Sequence, residues 1–237
     1  MPNRFTLPPG HLAYAIGDVH GCEEMLDSLL DKIQGDAKNK KAGRRLLIFL
    51  GDYIDRGSNS ANVLKRLTQP LLPGFEQVAL RGNHEQMMLD FLMGNGGDEW
   101  LFPPNGAGPT FASYGIDIRQ EPEKLHRALK AAAPREVQNF LSGLPLYFSL
   151  GDYFFVHAGV NPNHPLDQQY EHDMLWIREP FLSSAQEYGA LIVHGHTIAK
   201  EPQIRANRIG IDTGACAGGK LTALALEGGE RRFLQAG

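Results

Sequence analysis

Five short turns hold most of the residues whose types and spacing could do chemistry. In Gly17-Asp18-Val19-His20-Gly21, Asp18 and His20 stand two apart. Side chains alternate with period two on extended backbone, so both can face the same way. One hard oxygen beside one imidazole suits a first-row divalent metal. In Gly51-Asp52-Tyr53-Ile54-Asp55-Arg56-Gly57, two carboxylates and an arginine lie between glycines. Asp52 offers a hard oxygen ligand and Arg56 a fork for phosphate oxygens, while the glycines permit tight turns. Arg81-Gly82-Asn83-His84-Glu85 adds an amide oxygen, Asn83, and an imidazole, His84, that can give up a proton if held outside a metal's ligand set. His157-Ala158-Gly159 and His194-Gly195-His196-Thr197 complete the series. Taken singly, each turn has an ordinary reading: an Asp capping the next helix, an Asp55–Arg56 pair, a solvated histidine.

The elements that must position these residues are short apolar runs. Strands are predicted over 12–16, 45–50, 76–80, 153–156 and 191–193, each delivering an Asp, Asn or His directly after its last apolar residue. In open α/β sheets that end of the strands is where ligands bind. Helices are expected from 22 to 34, where Leu26, Leu29, Leu30 and Ile33 share a face; after Ser58, a plausible N-cap; and over 86–93. The stretch 94–114, rich in Gly, Pro, Asn and aromatics, reads as a lid or groove rim. Two more helical patterns follow over 122–133 and 134–141, then a hairpin around Gly151-Asp152 and closing strands near 208–212 and 221–226. With no linker or repeat, one domain over residues 1–237 is expected.

The composition narrows the function classes. The chain has 237 residues, enough for a substantial core, and a formal net charge of −4, which gives no electrostatic case for nucleic acid or an anionic membrane surface. No apolar run reaches transmembrane length, and the opening stretch from Met1 to Thr6 has no signal-peptide core. Cys22 and Cys216 make neither a disulfide framework nor a metal-ligand spacing, so a reduced, cytoplasmic setting is expected.

Five turns hold too many ligands for one ion. Nitrogen and oxygen donors without thiolate point to Mn, Fe, Zn or a mixed pair, and an Asp in mid-series can bridge two cations about 3.5–4 Å apart. The five motifs, in this order, resemble those of the phosphoprotein phosphatase branch of the calcineurin-like metallophosphoesterases, closest to its short bacterial and phage members. That resemblance implies a four-layer α/β/β/α sandwich and two divalent metal ions, Mn²⁺ first and Fe or Zn otherwise. Asp18 and His20 would hold the first ion, Asp52 would bridge, and Asn83, His157 and His196 would hold the second. A metal-bound hydroxide would attack phosphorus in line. His84, oriented by Asp55, would protonate the leaving oxygen, and Arg56, with Arg178, would bind the phosphoryl group. The implied activity is a serine/threonine protein phosphatase acting on a phosphorylated protein or peptide. The alternative is symmetric hydrolysis of diadenosine tetraphosphate, the activity of a sister group that carries Gln and Asn where this chain has His20 and Asp55. A third reading, from another class, is a non-catalytic module that binds phosphorylated ligands.

Overall fold

In the computed structural model, which describes residues 4–237, the strands are β1 (His11–Ile16), β2 (Arg44–Phe49), β3 (Glu76–Ala79), β4 (Tyr147–Leu150), β5 (Tyr153–Val156), β6 (Leu191–His194), β7 (Gln203–Ile204), β8 (Arg208–Gly210), β9 (Leu221–Glu227) and β10 (Glu230–Ala236). The helices are α1 (Glu23–Ala37), α2 (Ser60–Leu67), α3 (Asn83–Met93), α4 (Gly108–Ser113), α5 (Pro122–Ala132), α6 (Arg135–Gly143) and α7 (Glu171–Trp176). Met1 to Asn3, part of the opening stretch read for a leader, lie outside the described residues. No helix among the described residues is long and apolar enough to cross a membrane.

Two five-stranded sheets run in the orders β10-β9-β1-β2-β3 and β4-β5-β6-β8-β7. Strands β1, β2 and β3 are parallel neighbours, as are β5, β6 and β8. Period-two alternation then decides the layering. On β1, Ala13 and Ala15 face one core while Leu12, Tyr14 and Ile16 face another; on β2, Leu46 and Ile48 alternate with Leu47 and Phe49. The first set meets Tyr153, Phe155, Leu191 and Val193 of the other sheet, forming the interface between sheets. The second set meets Leu26, Leu29 and Ile33 of α1, Val63 and Leu64 of α2, and Met87 and Met88 of α3. On the far side, Phe154, Val156 and Ile192 pack against Met174 of α7, Ile177 and Phe181. Three apolar interfaces separate four layers, the α/β/β/α arrangement expected.

The hairpin around Gly151-Asp152 forms in the register Leu150↔Tyr153. Three local expectations are corrected. Helix α3 starts at Asn83 instead of 86, so Asn83, His84 and Glu85 occupy its first turn. Ser58 is not an N-cap, because α2 starts at Ser60, whose hydroxyl accepts the Asp55 N–H at 3.1 Å. β10, which carries Glu230, Arg231 and Arg232, was not anticipated; it pairs antiparallel with β9. The stretch 94–114 folds into short helical turns around Trp100 and Phe111, both fully buried.

Candidate active site

The turns after β1, β2 and β6 place backbone in a region that side chains avoid. Among the described residues, the non-glycine positions with positive φ are His20, Asp52, Asp55, Arg56 and His196, every one a predicted site residue. Such conformations persist only where surrounding contacts over-determine them, and they cluster at functional sites. Two glycines show how tight the packing is. A Cβ at Gly195 would lie 2.0 Å from Asp18 Oδ1, and one at Gly82 would lie 2.2 Å from Asp52 Oδ1.

Two groups of His and Asp ligand atoms, each within 4.8 Å, could hold a metal ion, and both contain Asp52. The first is His20, Asp52 and His84. His20 Nδ1 donates to the Ile54 carbonyl at 2.7 Å, which fixes the tautomer and turns the Nε2 lone pair into the site, 3.5 Å from Asp52 Oδ2. The second is Asp52, His157 and His196. His157 Nδ1 is likewise held by the Leu50 carbonyl at 2.9 Å. Its bare Nε2 faces Asn83 Oδ1 at 2.9 Å and His196 Nδ1 at 3.2 Å. The lone pairs of His157 Nε2 and Asn83 Oδ1 face one another across the first gap, and Asp52 Oδ1 lies 3.4 Å from the same Nε2. A cation satisfies such an all-nitrogen-and-oxygen convergence, so these residues fit a metal ion.

Electrostatics divide the four imidazoles. Burial pushes His20 down to about 3 and His196 to about 2, and lowers His157, so all three are neutral near pH 7. Burial opposes ionisation of Asp52, but the facing imidazoles outweigh it and hold its carboxyl well below the usual range. An ionised carboxylate among neutral imidazoles is the state that metal ligation needs. His84 goes the other way. Burial alone would lower it, yet the Asp52 charge and a 2.5 Å hydrogen bond from Nδ1 to Asp55 Oδ2 raise it.

Asp55 is completely buried and fully engaged: Oδ2 also accepts the Trp100 Nε1–H at 2.7 Å, and Oδ1 accepts the Thr110 hydroxyl at 2.6 Å. Arg56 spreads its fork over two rings, with Nη1 2.5 Å from His20 Nε2 and Nη2 3.2 Å from His84 Nε2. Asp18 lies outside both ligand groups; its two oxygens accept the His196 N–H at 3.2 and 3.0 Å. Burial, and then the charges of Asp212 and Asp52, push its carboxyl up. Arg178 is exposed, and its charge helps lower His157 and His196. His194 has the same strand parity as Ile192 and points away from the site, its Nε2 facing Arg208 at 3.3 Å and its ring against Phe181.

Several supporting residues escaped the sequence reading. Glu85 accepts the N–H groups of Asp52, Tyr53 and Gly82 at 2.7, 2.8 and 3.0 Å, clamping the Asp52 turn to α3. Burial and the Asp52 charge push it up to about 8. Trp100 and Thr110, from the expected rim, hold Asp55, and the Gly106 carbonyl accepts the Arg56 N–H at 3.0 Å. Asp212 is buried beside Asp18 and raised to about 6, chiefly by burial. The Gly82-Asn83-His84-Glu85 pattern was a usable signal for Glu85, three residues past a helix cap; the others had none.

Comparison with known proteins shows the family. The family model for calcineurin-like phosphoesterases matches residues 13–214. An asymmetrical bis(5'-nucleosyl)-tetraphosphatase PrpE of Oceanobacillus iheyensis is 29% identical over 230 residues, covering 88% of this chain and 86% of that protein. The same-named protein of Anoxybacillus flavithermus is 30% identical over 232 residues, with 88% of each covered. Among solved structures, a putative diadenosine tetraphosphatase superposes with a TM-score of 0.65 at 20% identity, covering 100% of this chain and 96% of the other. A cold-active protein tyrosine phosphatase reaches 0.62 at 21%, covering 97% and 82%. With the fold, the two ligand groups and a family match spanning most of its length, this chain belongs to the calcineurin-like phosphoesterases.

Proposed function

We propose that this chain is a divalent-metal-dependent hydrolase of bis(5'-nucleosyl) tetraphosphates, cleaving asymmetrically to a nucleoside triphosphate and a monophosphate. The observation that carries the chemistry is the pair of buried His/Asp groups joined at Asp52 beneath the Arg56 fork. The substrate rests on end-to-end similarity to two relatives of that name. His20 and Asp55 differ from the pattern of the symmetric sister group and so count against symmetric cleavage.

In this reading Asp18 and His20 would hold one ion, Asn83, His157 and His196 the other, and Asp52 would contribute to both. Two divalent cations bound there would supply charge to polarise phosphoryl oxygens and to acidify a water. Arg56 turns its fork from the imidazoles to the phosphoryl oxygens, where charge builds in the transition state, and Arg178 adds positive charge at the rim. His84 carries the leaving-group proton on Nε2, and Asp55 keeps that ring protonated and aimed. Their opposite shifts separate His84, the acid, from His20, the ligand, although both rings lie in the first group.

A second reading, a serine/threonine protein phosphatase, is favoured by the identities of His20 and Asp55. Metal-stripped protein reloaded with Mn²⁺ and offered diadenosine tetraphosphate beside a phosphoserine peptide separates the readings. ATP and AMP in equal amounts are expected. ADP alone would make the enzyme symmetric, faster phosphate release from the peptide would make it a protein phosphatase, and no turnover of either by the loaded protein would favour the binding module.

A further inference from the structure

Cys22 and Cys216 lie 194 positions apart in the chain, yet the Cys22 thiol donates to the Cys216 sulfur at 3.0 Å. Cys22 ends the turn that carries Asp18 and His20 and immediately precedes α1. Cys216 sits in a short helical turn, Ala215–Ala217, after β8. A bonded pair of sulfurs is about 2.05 Å apart, so roughly 1 Å of closure joins these two. Both are half-buried, and Cys22 borders an open cleft of ≈ 260 Å³, which gives a small oxidant or a reducing thiol access.

The pair is built against a site residue. Cys216 Sγ lies 3.2 Å and Cys22 Sγ 3.6 Å from the carbonyl oxygen of His20, which also accepts the Gly57 N–H at 3.0 Å. A Cβ at Gly57 would lie 2.9 Å from Cys216 Sγ, so the acidic turn also packs on this sulfur. The contacts therefore reach the backbone of His20, whose φ of 44° needs such support.

We propose that Cys22 and Cys216 are a redox-active dithiol that closes to an intramolecular disulfide on contact with a hydroperoxide and thereby switches the neighbouring site off. One thiol attacks the peroxide oxygen; the O–O bond breaks, a sulfenic acid forms and the alcohol (from hydrogen peroxide, one water) leaves. The second thiol attacks the sulfenic sulfur and expels the hydroxyl as water. The two sulfurs give up two electrons in all, and the peroxide takes them. A dithiol reductant reverses the step by exchange. Closing the bond withdraws the Cys216 S–H from the His20 carbonyl and draws the 215–217 turn against Cys22. A displacement of about 1 Å at a positioning element can cost 10²-fold in rate.

The test treats the Mn²⁺-loaded protein with stoichiometric hydrogen peroxide, then reads intact mass, a non-reducing peptide digest, the melting temperature and hydrolysis of p-nitrophenyl phosphate. Expected are a loss of two hydrogens, a peptide pair joining Cys22 to Cys216, and a melting temperature about 5–10 °C higher, because the bond closes a very long loop. Activity should fall at least tenfold and return with dithiothreitol. The Cys22→Ser and Cys216→Ser variants should keep their activity through the same treatment. Oxygen added to either sulfur with no joined peptides would overturn the proposal. So would a joined pair with unchanged hydrolysis, or equal inactivation of the serine variants.

Discussion

Replacing Asp55 by Asn isolates the proton-donor role of His84 with little disturbance of packing. Asp55 Oδ2 accepts from both His84 and Trp100, so the amide oxygen takes that place. The new NH₂ then faces Thr110 Oγ1, whose hydroxyl can turn to Ser60 Oγ, already 3.0 Å away. Every buried donor of the native protein keeps an acceptor, and the fold should survive. What disappears is the charge on a 2.5 Å hydrogen bond to the His84 ring. A hydrogen bond to a charged group contributes about 1.5–3 kcal/mol, which at 1.36 kcal/mol per unit lowers the His84 pKa by roughly 1–2 units. In the native protein His84 is raised, so the acid form persists above the ordinary histidine range and is lost as pH climbs through the raised value. The alkaline limb of kcat/KM should therefore move down by about 1–2 units in Asp55→Asn, with a loss of about 10–100-fold on phenyl phosphate above that limb. Phenyl phosphate expels an oxygen as basic as tyrosine, about pKa 10. The tetraphosphate expels a phosphate, second pKa about 6, and should lose no more than about threefold, because that leaving group needs little protonation. Profiles of kcat/KM against pH for both substrates make the measurement. Equal losses on the two, or an unmoved alkaline limb, would refute the general-acid assignment.

Glu85→Gln should destabilise without touching substrate: one of three buried N–H groups loses its acceptor at a cost of about 1–3 kcal/mol, so calorimetry should show a melting temperature lower by about 2–12 °C. Gly195→Ala places a methyl 2.0 Å from Asp18 Oδ1 and should reduce kcat/KM by about 10²-fold or more; near-native activity would show that Asp18 can move freely. Burial opposes ionisation of Asp36, but hydrogen bonds from Arg232 and from Tyr14 (2.6 Å) outweigh it and hold its carboxyl low. That stabilisation is complete above the unfolded carboxyl pKa of about 3.9 and disappears as pH falls through the lower folded value. Thermal melts should accordingly show the advantage of native protein over Asp36→Asn shrinking below about pH 4.

Much of the site was legible because its residues follow strand ends directly: an apolar run, then Asp, Asn or His, is a local pattern. The layering was legible for the same reason, since Ala13 and Ala15 alternate with Leu12, Tyr14 and Ile16. What stayed hidden depends on closure of the whole chain. Trp100 and Thr110 reach Asp55 across 45 and 55 positions, and Cys216 reaches Cys22 across 194. Before folding they are an aromatic and a hydroxyl in a glycine-rich stretch and two unrelated thiols. β10 was obscured by its charges, which an edge strand tolerates because one side of its backbone has no strand partner. The start of α3 is hidden because Asn83 and His84 read as turn residues, whereas Glu85 accepting the Gly82 N–H nucleates the helix there.

The central claim is that Asp52 joins two metal sites, and counting metals tests it most directly. Purified protein and Asp52→Asn, dialysed against the same Mn²⁺ buffer, would be assayed for bound metal per chain by elemental analysis, with circular dichroism to check the fold. Close to two ions per native chain, and a loss at both sites in a folded Asp52→Asn, are expected. One ion per native chain, or an unchanged count in the variant, would contradict the claim.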